Sequence, residues 1–143
     1  MSALSFRVLG VPAPQGSLRG YIRGGHVALT SDNARLRPWR DSVAWAALEA
    51  MRDAGLPLFD EPVEVQVLFY LPRPKAAPKR VAYPAKKPDL DKLLRGCLDA
   101  MTGVVFRDDA LVVSLWALKV FAGAGDQPGA RVQVTGFDTE RGG

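Results

Sequence analysis

Leu90, Leu93, Leu94, Cys97, Leu98 and Met101 recur at the spacing of a single face of an α-helix. No other stretch constrains the chain as tightly. Pro88 disfavours helix at the residue before it, so the helix is predicted to start at Asp89, which can serve as its cap. Thr102-Gly103 ends it near Met101. A helix with one apolar face must bury that face against another element. The segment from Pro62 to Leu71 supplies a partner: Val63, Val65, Val67, Phe69 and Leu71 alternate with Glu64 and Gln66, the period of a half-buried strand.

The rest of the chain reads in the same way. Ser5 to Val11 alternates as a first strand, closed by Pro12-Ala13-Pro14-Gln15-Gly16. Gly20 to Leu29 reads as a hairpin turning at Gly24-Gly25, with Arg19, Arg23 and His26 near its tips. Ser31, Asp32 and Asn33 are candidate caps for a second helix, with Pro38 in its first turn. Its apolar face is Trp39, Val43, Ala46, Ala47, Ala50 and Met51, and Gly55 and Pro57 stop it. Val104 to Phe106 reads as a short strand or turn, Leu111 to Phe121 as a long apolar strand, and Arg131 to Thr135 as a last strand. Trp39, Trp45 and Trp116 are expected in the core. The strand over 111–121, apolar on both sides, is expected either to be covered on both faces or to take part in an interface. The fold class that follows is α+β, a mostly antiparallel mixed sheet with two main helices. All 143 residues are expected to form one domain, with the tail from about 138 frayed.

Composition excludes several classes. Cys97 is the single cysteine and His26 the single histidine, so an internal disulfide and a cysteine-rich zinc site are excluded and a structural zinc is not expected. Any metal should be a hard cation held by oxygen. No apolar run approaches the ~20 residues needed to span a bilayer, and the first residues lack the layout of a signal peptide, so a cytoplasmic setting is expected. The net charge of +4 suits a polyanionic partner without requiring one.

Charge is unevenly placed. Residues 72–88 interleave Pro72, Pro74, Pro78, Pro84 and Pro88 with Arg73, Lys75, Lys79, Arg80, Lys86 and Lys87, and contain no acid. A long proline-rich loop inside a domain of this size is unusual and often functional, although prolines and like charges would also keep a plain linker extended. The loop runs into Asp89-Leu90-Asp91-Lys92, and Arg107-Asp108-Asp109 follows one helix later. Alone, each acidic pair reads as a helix cap or an ordinary turn. Together, carboxylates that converge among cations suit a divalent cation meeting a phosphate. Asp91 and Arg95 lie four apart and are neighbours on the helix surface. Arg35, Arg37 and the loop cations are candidate phosphate contacts, and Tyr21 or Tyr83 could stack on a base.

These motifs resemble a known family. Lys87-Pro88-Asp89-Leu90-Asp91 with Leu93-Leu94, then Leu98-Asp99-Ala100-Met101-Thr102-Gly103-Val104-Val105 and Asp108-Asp109-Ala110, are similar to the signature of RusA-type Holliday junction resolvases. Val11 to Ser17, the short basic hairpin and the approach from Ser31 to Arg40 also resemble that family, so the likeness spans roughly residues 5 to 135. It implies a dimeric, RusA-like endonuclease that uses Mg²⁺, with Mn²⁺ as a substitute, and nicks two strands of four-way or branched DNA. It further implies Asp89, Asp91 and Asp109 as metal-site acids, with Asp108 adjacent. DNA-binding candidates are Arg19, Arg23, Arg73, Lys75, Lys79, Arg80, Lys86, Lys87 and Lys92. The chain departs from the pattern at two places: Lys92 stands where the family usually has Asn, and Arg95 where it usually has a catalytic lysine. Arginine keeps the positive charge but cannot release a proton at neutral pH, so Arg95 is expected to stabilise charge. If the family lysine instead donates a proton, Lys92 would have to reach in from the neighbouring helical angle. A branched-DNA-binding protein without catalysis, or a nuclease of broader branched-DNA preference, is the alternative.

Overall fold

The computed structural model describes residues 2–16, 18–23, 26–31 and 34–137, with the backbone alone described for 18–23 and 26–31. Strands β1 (Ala3–Leu9), β2 (Leu18–Arg23) and β3 (His26–Ser31) precede helix α1 (Leu36–Ala54). Strand β4 (Val63–Leu71), helix α2 (Leu90–Met101), a 3₁₀ turn (Asp109–Leu111), β5 (Val112–Phe121) and β6 (Gly129–Gly136) follow. Four strands form one mixed sheet in the order β1-β6-β4-β5, and β2 and β3 pair separately as a hairpin. β6 runs antiparallel to both β1 and β4, whereas β5 runs parallel to β4. The class is α+β, with two main helices.

That parallel pair sets the position of everything that follows. A strand cannot return parallel to its neighbour through a tight turn, so the chain between β4 and β5 must cross over. Here the crossover consists of the proline-rich loop, α2 and the corner at 107–109. Val63, Val65, Val67, Phe69 and Leu71 are all buried, as their alternation requires. Leu93, Leu94, Cys97 and Met101 of α2 are buried with them. Leu90 and Leu98, also on the predicted stripe, pack against this core and stay half-exposed. At Gly96 a Cβ would lie 3.3 Å from Leu36 Cδ1 and 3.5 Å from the Ala13 carbonyl oxygen, so α2 passes close to α1 and the 11–16 segment there. The backbone N–H of Gln15 donates to the Lys92 carbonyl at 3.0 Å, fastening that segment to the first turns of α2.

Several boundaries differ from expectation. β1 starts and ends two residues early, because its partner β6 begins at Gly129, opposite Leu9. Ser31 belongs to β3 rather than capping α1; Arg35 occupies the cap position and Pro38 falls in the first turn as expected. Asp32 and Asn33 lie outside the described residues, as do Gly24, Gly25 and the tail from 138. Gly55 ends α1 in the left-handed region, φ 64°, and its N–H returns to the carbonyls of Arg52 and Met51. Leu111 falls in the 3₁₀ turn, not in the strand.

Two tryptophans lie elsewhere than their size suggests. Trp39 is buried, but Trp45 is 62% and Trp116 49% exposed. On α1 the buried face is Leu36, Trp39, Val43, Ala47 and Met51, and Trp45 points away from it. Trp116 pairs with Gln66, on the side of the sheet opposite the helices. β5 is an edge strand, and its exposed side chains show that it is not covered on both faces. Val113, Leu115 and Trp116 remain exposed along it.

Cys97 packs into the core, fully buried. Burial pushes its thiol up to about 12, and an interaction with the buried Trp39 indole N–H opposes that shift without cancelling it. This N–H makes no hydrogen bond within ordinary limits. The native state therefore holds the neutral thiol while an unfolded chain ionises near the ordinary value of 9.0. A folded pKa above the unfolded one means that stability is fully present below pH 9 and is lost as pH rises from about 9 toward about 12. At pH 8 a thiol-specific chromogenic reagent is expected to leave the native protein unlabelled and to label it once unfolded in denaturant. Rapid labelling of native protein would contradict this packing.

Candidate metal and nucleic-acid site

Asp89, Asp91 and Lys92 come to the first turn of α2 because Pro88 ends the loop and the apolar stripe fixes the rotation of the helix. With Leu93 and Leu94 inward, Asp91 and Arg95 must face out, and both are exposed. Asp89 holds the cap position in an extended conformation, φ −68° and ψ 137°, but its side chain makes no capping hydrogen bond. The helix thus starts without using this carboxylate. Its exposed N–H groups and its dipole favour negative charge at the same place.

The second acidic pair is carried by a tightly fastened corner. Gly103 N–H donates to the Phe106 carbonyl at 2.8 Å, Phe59 N–H to Val105 at 2.8 Å, and Arg107 N–H back to Phe59 at 3.1 Å. Phe59 and Phe106 are both buried. Asp108 caps the 3₁₀ turn, its Oδ1 accepting from Ala110 N–H at 2.9 Å. Arg107 pairs with Asp60 at 3.1 Å, an exposed contact of little energetic weight. Asp109 is left exposed, beside α2.

One cavity of about 270 Å³ collects the chemistry, lined by Asp91, Arg95, Asp99 and Asp109 among Leu94, Leu98 and Leu115. Asp91, Arg95 and Asp99 follow one another at intervals of four along α2, and Asp109 joins them from the corner before β5. Among the described residues, none of these four side chains makes a hydrogen bond or an ion pair with protein. Asp89 and Asp108 do not line the cavity. No three acids, histidines or cysteines come together as a metal-ligand group among the described residues. The three carboxylates that line the cavity, Asp91, Asp99 and Asp109, come with no histidine or cysteine beside them. Such a lining still fits Mg²⁺, which binds through one or two carboxylates while keeping waters and phosphate oxygens as its other ligands.

The candidate cations differ in placement. Lys75, Lys79, Arg80, Lys86 and Lys87 are exposed on the loop. Arg73 is half-buried and turned into the protein: its Nη1 donates to the Pro78 carbonyl at 3.0 Å and its guanidinium lies 4.7 Å from the Phe121 ring centre. Arg73 therefore holds the loop's own shape. Lys92 is half-buried on α2. Arg19, Arg23, Tyr21 and His26 lie on β2 and β3, whose side chains are outside the described residues. Beneath the loop lies a second, apolar cavity of about 800 Å³, with Val11, Pro12, Leu71, Val81 and Phe121 in its walls and Lys86 and Lys87 also lining it.

Sequence reasoning missed two residues. Asp99 is visible as the third member of the four-residue spacing Asp91, Arg95, Asp99. Lys119 is the one charged residue in the apolar run from Leu111 to Phe121. On β5 it stands opposite Phe69 and so on the helix-covered side of the sheet, where its Nζ donates to the carbonyls of Lys86 at 2.7 Å and Pro88 at 2.8 Å.

Comparison with known proteins agrees with the sequence motifs. The family described as "Endodeoxyribonuclease RusA" matches residues 10–135. A relative from Bacillus subtilis (strain 168), "Uncharacterized protein YqaN", is 30% identical over 144 residues, covering 94% of this chain and 96% of that protein. Among the described residues no helix is long and apolar enough to cross a membrane. The matched region takes in both acidic pairs, the basic loop, both helices and four strands in full, so the chain belongs to the RusA family of endodeoxyribonucleases.

Proposed function

We propose that this chain is a Mg²⁺-dependent endonuclease that resolves four-way DNA by paired nicks, working as a homodimer. The observation that carries the reading is the common cavity of Asp91, Arg95 and Asp109, set at the exit of a basic loop in a chain of the RusA family. Of the three carboxylates lining the cavity, Asp91 and Asp109 are the proposed ligands, one from each acidic pair, and Asp89 is a further candidate, two residues away with its carboxylate uncommitted. Asp108 is a weaker one, since one of its oxygens already accepts from Ala110. Mg²⁺, or Mn²⁺ in its place, supplies charge neutralisation at the scissile phosphate and a more acidic water when bound.

The protein's own residues do the rest. Arg95, always charged and able to bind a phosphate through two parallel N–H groups, stabilises charge that develops on the phosphoryl oxygens. The exposed loop cations Lys75, Lys79, Arg80, Lys86 and Lys87 track the DNA backbone, and this makes affinity fall steeply with salt. The half-buried Lys92, one turn from Arg95, supports the same field. Two symmetric cuts need two sites, which a C2 dimer provides. The open side of β5 supports that reading: an unpaired edge with Val113, Leu115 and Trp116 exposed is a surface that a second copy could cover.

A four-way junction labelled on each strand in turn, with matched linear duplex, tests the reading in Mg²⁺ and in EDTA. Paired nicks on opposed strands that need Mg²⁺ are expected. Junction binding without cleavage in either condition would favour the non-catalytic alternative, and cleavage of every branched substrate alike would favour the broader nuclease. For Arg95→Ala the nicking rate should fall about 10²–10³-fold, the usual loss for one transition-state donor, while Arg95→Lys should retain most of it. An unchanged Arg95→Ala rate would exclude Arg95.

A further inference from the structure

The loop from Pro72 to Asp89 carries no strand or helix, and its last residues deliver Asp89 and Asp91. A segment of that length costs considerable conformational entropy to hold still, so its points of attachment decide how well the acids are placed. Most of the hydrogen bonds described along it lie far from the acids. Ala77 N–H donates to Pro74, Val81 N–H to Pro78, and Arg73 to Pro78, all within the loop. Phe121 N–H donates to Ala82 at 3.4 Å, six residues before Pro88. Gln15 N–H holds the Lys92 carbonyl on the helix side of the acids, and on the loop side the tie nearest them is Lys119. Its ammonium donates to the carbonyls on both sides of Lys87, at 2.7 Å and 2.8 Å, from a strand of the sheet itself.

Lys119 is an odd residue to find there unless it is needed. The strand around it is apolar, it is half-buried, and it lies beside the start of α2, where the helix dipole repels cations. Desolvation and the dipole both work against it, and two charge-assisted hydrogen bonds offset them. Two of its three protons are given to backbone carbonyls, so the group is committed to the loop rather than to DNA.

We propose that Lys119 is the positioning residue of the acidic site: by anchoring the carbonyls of Lys86 and Pro88 to β5 it sets the carboxylates of Asp89 and Asp91 for the cation. It touches neither substrate nor cation and acts through the backbone before Asp89. The inference rests on the nuclease reading above and names a determinant of that site outside both acidic pairs.

Lys119→Met keeps the aliphatic stem and removes the ammonium; Lys119→Arg restores a cation that can reach two carbonyls. In metal-free, DNA-free protein, Lys119→Met is expected to raise amide hydrogen exchange over the first hydrogen-bonded amides of α2, which begin with Leu93 N–H to the Asp89 carbonyl at 3.0 Å, while the β4 and β6 amides keep wild-type protection. The Mg²⁺ concentration for half-maximal junction nicking should rise about tenfold or more, as for loss of groups that orient metal ligands. Junction affinity in EDTA should stay unchanged, and Lys119→Arg should recover most of both losses. Unchanged exchange over these first amides of α2 overturns the proposal, as does raised exchange with an unaltered Mg²⁺ requirement. If Lys119→Met does not fold, Lys119→Gln, which keeps a donor for one carbonyl, is expected to show both changes in smaller measure; wild-type behaviour in it would overturn the proposal equally. The exchange arm does not depend on cleavage, so a wild-type protein that nicks nothing overturns the nuclease reading separately.

Discussion

Asp91→Asn is expected to lower Mg²⁺-dependent nicking of a four-way junction by about a thousandfold or more, with binding of the same junction in EDTA unchanged or tighter. The size follows from what the carboxylate supplies. Asp91 is one of two acids lining the cavity that are candidates to hold the cation, and Lewis-acid stabilisation is worth several kcal/mol, about three powers of ten in rate. The amide keeps the shape but is a neutral and weaker ligand. Asp91 is exposed and makes no hydrogen bond or ion pair with protein among the described residues, so folding should be untouched. Removing a negative charge from a surface that meets phosphates can only help binding. Cleavage within tenfold of wild type would show that Asp91 is a surface acid at a helix start.

Phe106→Ala should produce the largest loss of stability at the corner that carries Asp109. Phe106 is fully buried, its carbonyl accepts from Gly103, and it bridges to Phe59. Truncating a buried phenylalanine typically costs about 3–5 kcal/mol, because the cavity left behind only partly collapses. For a chain of this length that corresponds to a fall of about 10 °C or more in Tm. The two residues after Arg107 would lose their anchor as well, so nicking measured well below the transition should also decline. A change under about 1 kcal/mol by denaturant titration would mean that Phe106 does not hold the corner.

The parts of the fold that rest on periodicity are legible in the order of the residues alone. The stripe on α2 and the alternation of Val63 to Leu71 are repeated locally, and burial enforces them residue by residue. What escapes depends on neighbours distant in sequence. An apolar run from Leu111 to Phe121 does not reveal whether it lies at the centre or the edge of a sheet, because that is decided by which strands pair with it. Hence Trp116, expected inside, is half-exposed. Trp45 differs for another reason: a tryptophan's size suggests burial, but its position on α1 places it off the face defined by Trp39, Val43, Ala47 and Met51.

The candidate site divides along the same line. Asp91 and Arg95 can be paired from their spacing on one helix, and the corner at Asp109 can be expected to return toward them. That Asp89 is at the cap position without making a capping bond, and that Arg73 folds back onto Phe121, depend on side-chain geometry no pattern encodes. Lys119 is the hardest to see. A single lysine in an apolar strand is a signal, but its partners are two backbone carbonyls 31 and 33 residues away in sequence, and carbonyls leave no trace in a sequence.

Asp91, from α2, and Asp109, from the corner before β5, are proposed to serve one catalytic site. A double-mutant cycle on junction nicking tests it most directly, with Asp91→Asn, Asp109→Asn and the double variant compared under saturating Mg²⁺. Residues that act as a unit are strongly non-additive, so the double variant should be about as slow as either single one. If instead the two losses multiply, each acid acts independently and the shared site is wrong.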